Sequence, residues 1–151
     1  MNEYIKTKPI VGMIHLLPMP NTPAYQGSVQ QIVDTALKEA SYYQQGGVDM
    51  IMIENMHDLP YVKNQVGAIV TATMSIIAHQ IKVQTKLPCG VQILAGANQQ
   101  ALAVAKAANL DFIRAEGFVF GHLADEGWID AQAGTLLRYR RHIDAQHIKV
   151  R

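Results

Sequence analysis

The chain has 151 residues, enough for one domain with a buried core, and a formal net charge of +1. Charged residues make up 17% and aromatic residues 7% of the sequence, and the arginines at 138, 140 and 141 are expected to form a solvated helix face, so a nucleic-acid partner is not expected. The longest apolar run, residues 67–78, is shorter than the ~20 residues that a membrane-spanning helix needs. One cysteine, Cys89, and an N-terminus without an apolar signal segment predict a cytoplasmic protein in which this thiol is a buried filler.

Five short runs of branched and apolar residues are typical of β-strands, and helical segments separate them. The predicted strands cover residues 9–16, 48–55, 89–96, 111–118 and 147–150. The predicted helices run from an N-cap at Ser28 to Gly46, over residues 66–86, from an N-cap at Asn98 to Ala108, and over residues 131–144. Four βα units in strict alternation predict a parallel sheet, because parallel neighbours need crossover helices.

Two architectures have such a sheet, the open doubly wound fold and the closed β/α barrel. The loop after the first strand, residues 17–27, holds three prolines and lacks the GxGxxG fingerprint of the doubly wound fold. Polar residues instead collect at the C-terminal ends of several strands, as the mouth of a barrel requires. We therefore predict the N-terminal part of a TIM-type barrel, a single incomplete domain over residues 1–151, since a complete barrel takes about 250 residues.

Side chains alternate between the two faces of a strand, and this parity selects candidate catalytic residues. In the fourth strand, Ile113 and Ala115 should pack under helices, which directs Arg114 and Glu116 into the barrel. The same reasoning gives a predicted catalytic set of four residues: His15, Glu54, Arg114 and Glu116. Buried charges are costly unless they are paired, so Arg114 is expected to contact one of the two glutamates. The alternative is that these residues only fill a polar layer of the barrel.

Further polar groups near the strand ends are candidates for binding a substrate. They are Asn55, Asp58, Gln92, Asn98, His122 and Asp125. Several of the histidines and carboxylates at this rim are acceptable ligands for a divalent metal. No HxxxH or comparable spacing is present, so no metal ligands are assigned and the cofactor is left open.

Four segments at these positions resemble the BtpA/SgcQ family. They are GMIHLLPMP (12–20), GVDMIMIEN (47–55), GVQILAGAN (90–98) and DFIRAEGFVFGHLADEG (111–127). The resemblance implies a complete barrel of the ribulose-phosphate-binding type, of which this chain would end in the fifth strand. It also implies a link to photosystem I biogenesis for cyanobacterial members, and roles as sugar-operon proteins or nucleotide phosphatases for others.

Three hypotheses about function remain open at this point. The first is an enzyme that acts on a small phosphorylated or nucleotide-like metabolite, in which Glu54 and Glu116 exchange protons, Arg114 stabilises an anion and His15 orients the substrate or shuttles a proton. The second is a non-catalytic assembly or stabilisation factor. The third is an incomplete, inactive product whose unpaired sheet edges associate with a second copy as a homo-oligomer.

Overall fold

The computed structural model describes residues 8–151, in which a parallel five-stranded sheet packs against four α-helices. The strands of this sheet are β1 (Val11–His15), β2 (Met50–Glu54), β3 (Cys89–Gln92), β4 (Phe112–Ile113) and β7 (Lys149–Val150). The helices are α1 (Val29–Gln45), α2 (Ala68–Thr85), α3 (Asn98–Ala107) and α4 (Ala133–His142). A separate antiparallel hairpin joins β5 (His122–Ala124) to β6 (Gly127–Ile129). The N-terminal segment, for which the sequence predicts no secretory signal, lies outside the described residues except for Lys8.

The strands of the large sheet lie in the order β1-β2-β3-β4-β7, which is their order along the chain. A doubly wound sheet reverses its strand order at a switch point, and the described strands show no reversal. The predicted α/β class with a parallel sheet is confirmed, and its strand order is consistent with part of a β/α barrel. None of the helices in residues 8–151 is long and apolar enough to cross a membrane.

The two faces of the sheet are covered differently. One face packs on all four helices through branched strand residues such as Ile14, Ile53 and Val91. The opposite face carries a smaller apolar cluster of strand residues without any helix: Met13, Met50, Met52 and Phe112. Gly90 lies next to the Phe112 ring, so close that a Cβ at this position would clash with it. All helices therefore lie on one side, and parity assigned these faces correctly.

The N-termini of α1 and α3 test the two N-caps that the sequence predicts. Ser28 caps α1 as predicted, because its hydroxyl accepts a hydrogen bond of 3.1 Å from the Gln31 N–H. The prediction for Asn98 is wrong, since Ala97 occupies the N-cap of α3 and Asn98 is the first helical residue. The Asn98 carboxamide instead hydrogen-bonds the backbone of Glu116, a tertiary contact that local sequence does not reveal.

The third and fourth strands are shorter than predicted. The run 89–96 pairs only as far as Gln92, and the run 111–118 pairs only over Phe112–Ile113. Gly96 and Gly117 have positive φ angles of 70° and 59°, which turn the chain out of the extended conformation. The loop predicted after residue 118 contains the hairpin β5–β6, which the sequence did not indicate.

Candidate active site

The C-terminal edge of the sheet gathers three other predicted residues around the carboxylate of Glu54, whose side chain is 2% exposed. Arg114 Nη2 donates to Glu54 Oε1 at 3.1 Å, and His15 Nε2 lies 3.5 Å from Glu54 Oε2. Arg114 Nε also donates to the side-chain oxygen of Gln92. The buried carboxylate thus has a partner on each oxygen, while the His15 and Arg114 side chains are 42% and 51% exposed.

Strand register explains why these residues meet. His15 lies directly opposite Glu54, and Glu54 lies directly opposite Gln92, so three neighbouring strands end with polar side chains on one face. Arg114 follows β4, and its backbone N–H continues the ladder by donating to the Val91 carbonyl at 3.1 Å. The pairing expected for Arg114 is therefore made with Glu54.

A second group of predicted residues, Asn55 and Asp58, joins the loops that follow the first three strands. Asp58 Oδ1 accepts from the Met19 N–H at 2.8 Å, and its Oδ2 accepts from Asn55 Nδ2 at 3.0 Å. Asn55 Oδ1 accepts from the Leu94 N–H at 2.8 Å. Burial raises the pKa of Asp58, and the hydrogen bonds from Met19 and Asn55 oppose that shift, as does the nearby His57. Both side chains are buried and engaged with the protein.

Glu116 lies in a third group, beyond the end of β4. Its Oε2 accepts from the Gly96 N–H at 2.8 Å, and its Oε1 lies 3.4 Å from His122 Nε2. The Asn98 carboxamide donates to the Glu116 carbonyl at 2.7 Å and accepts from the Glu116 N–H at 3.0 Å. Asp125 lies exposed in the turn of the hairpin, and no hydrogen bond or ion pair joins it to the other candidates within the described residues.

Sequence reasoning missed Tyr61 and Gln132. The Tyr61 hydroxyl donates to the Met56 carbonyl at 2.7 Å. Burial raises the pKa of Tyr61, and so do the charges of four carboxylates, Glu54 and Glu116 among them. Gln132 donates to the Gly96 carbonyl at 3.1 Å, behind the Glu116 group. No local sequence pattern marks either residue as part of the site, because both are brought there by loops that fold back onto the sheet.

The remaining chemistry of the described chain is limited. No group of three or more His, Cys, Asp or Glu side chains in residues 8–151 is arranged to hold a metal ion. Cys89 is buried in the core, as predicted, and burial raises its pKa to about 11. Since the thiolate is the reactive form, Cys89 is not a nucleophile at neutral pH. The rim therefore carries four kinds of functional group: imidazole, carboxylate, guanidinium and phenol.

Comparison with known proteins identifies the family of this chain. A model described as the BtpA family matches residues 6–151. The chain belongs to the BtpA family. Among its BtpA-like relatives, an uncharacterised mitochondrial protein of Caenorhabditis elegans is 44% identical over 95% of this chain and 54% of its own length. An uncharacterised Methanocaldococcus jannaschii protein is 36% identical over 99% of this chain and 57% of its own length.

The photosystem I biogenesis protein BtpA of Synechocystis is 33% identical over 91% of this chain and 48% of its own length. This BtpA-family chain spans about half the length of the relatives it matches. No solved structure gives a significant match to it.

Proposed function

We propose that this chain forms the acid/base part of the mouth of a TIM-type β/α barrel of the ribulose-phosphate-binding kind, in an enzyme that acts on a small phosphorylated or nucleotide-like metabolite. The observation that carries the proposal is the buried Glu54 carboxylate, held between Arg114 and His15 at the C-terminal ends of parallel strands. This is the edge at which β/α barrels place their active sites. Within residues 8–151 the helices pack on one face of the sheet only, and this one-sided packing supports the barrel.

The catalytic set in this proposal is the one that parity selected. Three of its members, His15, Glu54 and Glu116, supply groups that can hold or move a proton. Arg114 supplies a guanidinium, half exposed, that can stabilise a developing negative charge. The residues proposed to bind or position the substrate are Asn55, Asp58, Gln92, Asn98, His122 and Asp125.

The length of the relatives bears on where a phosphate would bind. Barrels often hold phosphate in the loops after their seventh and eighth strands. The described sheet has five strands, and the relatives are about twice as long as the part that the chain matches. The proposal therefore assigns acid/base groups to this chain and the phosphate grip to the other half of a family member.

Ligand-induced stabilisation and turnover test the enzyme proposal. A panel of sugar phosphates and nucleotides is screened against the purified chain and a Glu54→Gln variant, with Glu39→Gln on α1 as the matched control. At least one metabolite should raise the melting temperature or be consumed with the native chain and with Glu39→Gln. Glu54→Gln should lose that response. A panel without any stabiliser or substrate contradicts the proposal.

A second candidate function, a non-catalytic assembly factor, is favoured by the relative named as a photosystem I biogenesis protein. The hairpin region offers a surface for it, because Val119, Phe120 and Leu123 are 59%, 82% and 77% exposed. A defined partner complex should then be retained by Glu54→Gln and lost by Phe120→Ser. Loss of the complex with Glu54→Gln and retention with Phe120→Ser would contradict this candidate.

Association of two copies belongs to the same set of proposals. The strands β1 and β7 are the edges of the described sheet, and unpaired edges are templates for pairing with another chain. Light scattering coupled to size-exclusion chromatography should give twice the monomer mass of 16.7 kDa. A cooperative monomer at all concentrations contradicts the homo-oligomer. A cytoplasmic location also remains a proposal, which localisation of a fluorescent fusion tests.

A further inference from the structure

The ring of His15 is oriented by the buried carboxylate of Glu54. His15 Nε2 lies 3.5 Å from Glu54 Oε2, which is longer than a regular hydrogen bond, and the negative charge of the carboxylate favours hydrogen on this nitrogen. His15 Nδ1 then carries the lone pair when the ring is neutral, and it has no hydrogen bond to the described residues. Arg114 occupies the other oxygen of Glu54, which balances the charge of this carboxylate. In this arrangement a carboxylate lies beside one nitrogen of an imidazole and favours one tautomer of the ring.

A second ring on the same rim, His57, is oriented by a backbone carbonyl. His57 Nδ1 lies 2.8 Å from the Leu16 oxygen, and because a carbonyl only accepts, Nδ1 must donate. His57 Nε2 is then the nitrogen with the lone pair, and it has no hydrogen bond to the described residues. His57 thus has the opposite tautomer to His15, although both have the protein-facing nitrogen protonated.

The two rings are neighbours. Their centroids are 6.4 Å apart and their planes meet at 76°, an edge-to-face arrangement. The loop after β2 brings His57 to the end of β1, since Leu16 follows His15 directly. Both histidines are exposed residues at the rim. The charged groups around the pair are Glu54 and Arg114 at His15, and Asp58 at His57.

We propose that His15 and His57 are a pair of proton-transfer residues, in which His57 is a further catalytic residue and Glu54 acts as a positioning residue. The proposal rests on the proposed function and refines it. One neutral imidazole takes a proton from the substrate at its outer nitrogen, and the other, protonated, gives a proton to another substrate atom. One ring gains the proton that the other loses, and exchange with water restores the starting state. The substrate class is a metabolite that needs both an acid and a base within reach.

The other histidines of the described chain provide an internal comparison. His79, His142 and His147 have no hydrogen bond or ion pair among the described residues, and His122 pairs with Glu116. A free ring should exchange between its two tautomers, whereas His15 and His57 should each hold one. This difference separates an organised pair from two exposed surface residues.

The structural arm of the test is a long-range ¹H–¹⁵N spectrum of the ¹⁵N-labelled chain at a pH where the rings are neutral. His57 should show the Nδ1–H tautomer and His15 the Nε2–H tautomer, while His142 shows a mixture. Replacement of Glu54 by Gln should shift His15 towards a mixture and leave His57 unchanged. Mixed tautomers at His15 or His57 in the native chain would overturn the proposal.

The functional arm uses a metabolite that the native chain consumes in the screen described above. His57→Gln should lower kcat roughly 100-fold and remove one limb of its pH profile, while His142→Gln changes neither. If the native chain consumes the metabolite and His57→Gln has the same rate and pH profile, the role of His57 is overturned and the proposed function stands. Absence of any turnover in the native chain overturns both.

Discussion

Glu54 and Glu116 were selected by the same parity argument, yet they lie in different surroundings. Glu54 is the last residue of β2, its side chain is 2% exposed, and a guanidinium neutralises it. Glu116 follows the end of β4, its side chain is 19% exposed, and it is held by a backbone N–H and an imidazole. The buried carboxylate depends on its cation, whereas the Glu116 carboxylate is less buried and is held by a backbone N–H donor. The two should therefore respond differently to loss of their partners.

The largest effect is expected for Arg114→Met, which leaves the Glu54 carboxylate buried beside His15 alone. Breaking a buried ion pair costs 3–5 kcal/mol, and about 3 kcal/mol is expected here because Arg114 is half exposed. Urea unfolding at pH 7 measures this loss in the free energy of unfolding. Arg138→Met is the matched control, since the hydrogen bond of Arg138 within residues 8–151 goes to the Gly134 carbonyl of its own helix.

A double variant sharpens this prediction. Adding Glu54→Gln to Arg114→Met removes the uncompensated charge, so the double variant should be more stable than Arg114→Met alone. Equal stability of the single and double variants, or a loss below 1 kcal/mol for Arg114→Met, would show that Glu54 does not need its cation.

The second largest effect is expected for Asn98→Ala, on the Glu116 side of the comparison. The Asn98 carboxamide makes two hydrogen bonds to the Glu116 backbone, and its removal leaves those groups without their partner. We expect a loss of about 2 kcal/mol in the free energy of unfolding. The neighbouring exposed residue provides the control, and Gln99→Ala should cost less than about 0.5 kcal/mol. Equal losses in the two variants would contradict the prediction.

The contrast between Glu54 and Glu116 also shows which parts of the site the sequence could predict. Side chains alternate between the two faces of each regular strand, as the sequence predicted. Because His15, Glu54 and Gln92 are cross-strand partners, they lie together on one face. The alternation still held for Arg114 beyond the end of β4, but not for Glu116, which lies next to the turn at Gly117 and bonds the Gly96 N–H instead of joining the Glu54 group. Contacts such as Asn98 with the Glu116 backbone join residues far apart in sequence, and neither period nor propensity encodes them.

Asp58 provides a third carboxylate for the comparison, one that is buried without a cation in contact among the described residues. Burial raises its pKa above the ordinary 3.8, so the folded state binds a proton that the unfolded state has released. The stability from Asp58 is present at low pH and is lost as the pH rises from 3.8 through the folded pKa.

The side chain in the variant Asp58→Asn cannot titrate, so comparison with the native chain measures the pH-dependent stability that Asp58 contributes. The variant should be less stable than the native chain by roughly 1 kcal/mol at pH 4. The reason is that the NH2 group of the new amide faces the NH2 donor of Asn55, so neither group finds an acceptor there. The difference should shrink as the pH rises to 7. Unfolding at several pH values measures it, and a difference that grows with pH would mean that the pKa of Asp58 is lowered.

The smallest effect is expected for Glu116→Gln, and it separates the two glutamates most directly. The glutamine carbonyl can still accept from the Gly96 N–H, and only the interaction with His122, 42% exposed, loses its charge. We expect the free energy of unfolding to fall by less than about 1 kcal/mol, with little dependence on salt between pH 7 and 8. Glu126→Gln on the same hairpin is the control for loss of one negative charge. A loss as large as that of Arg114→Met would mean that Glu116, like Glu54, carries a charge that the fold must neutralise. The two carboxylates would then be equivalent parts of one site, with Glu116 as sensitive to its surroundings as the residue on the strand.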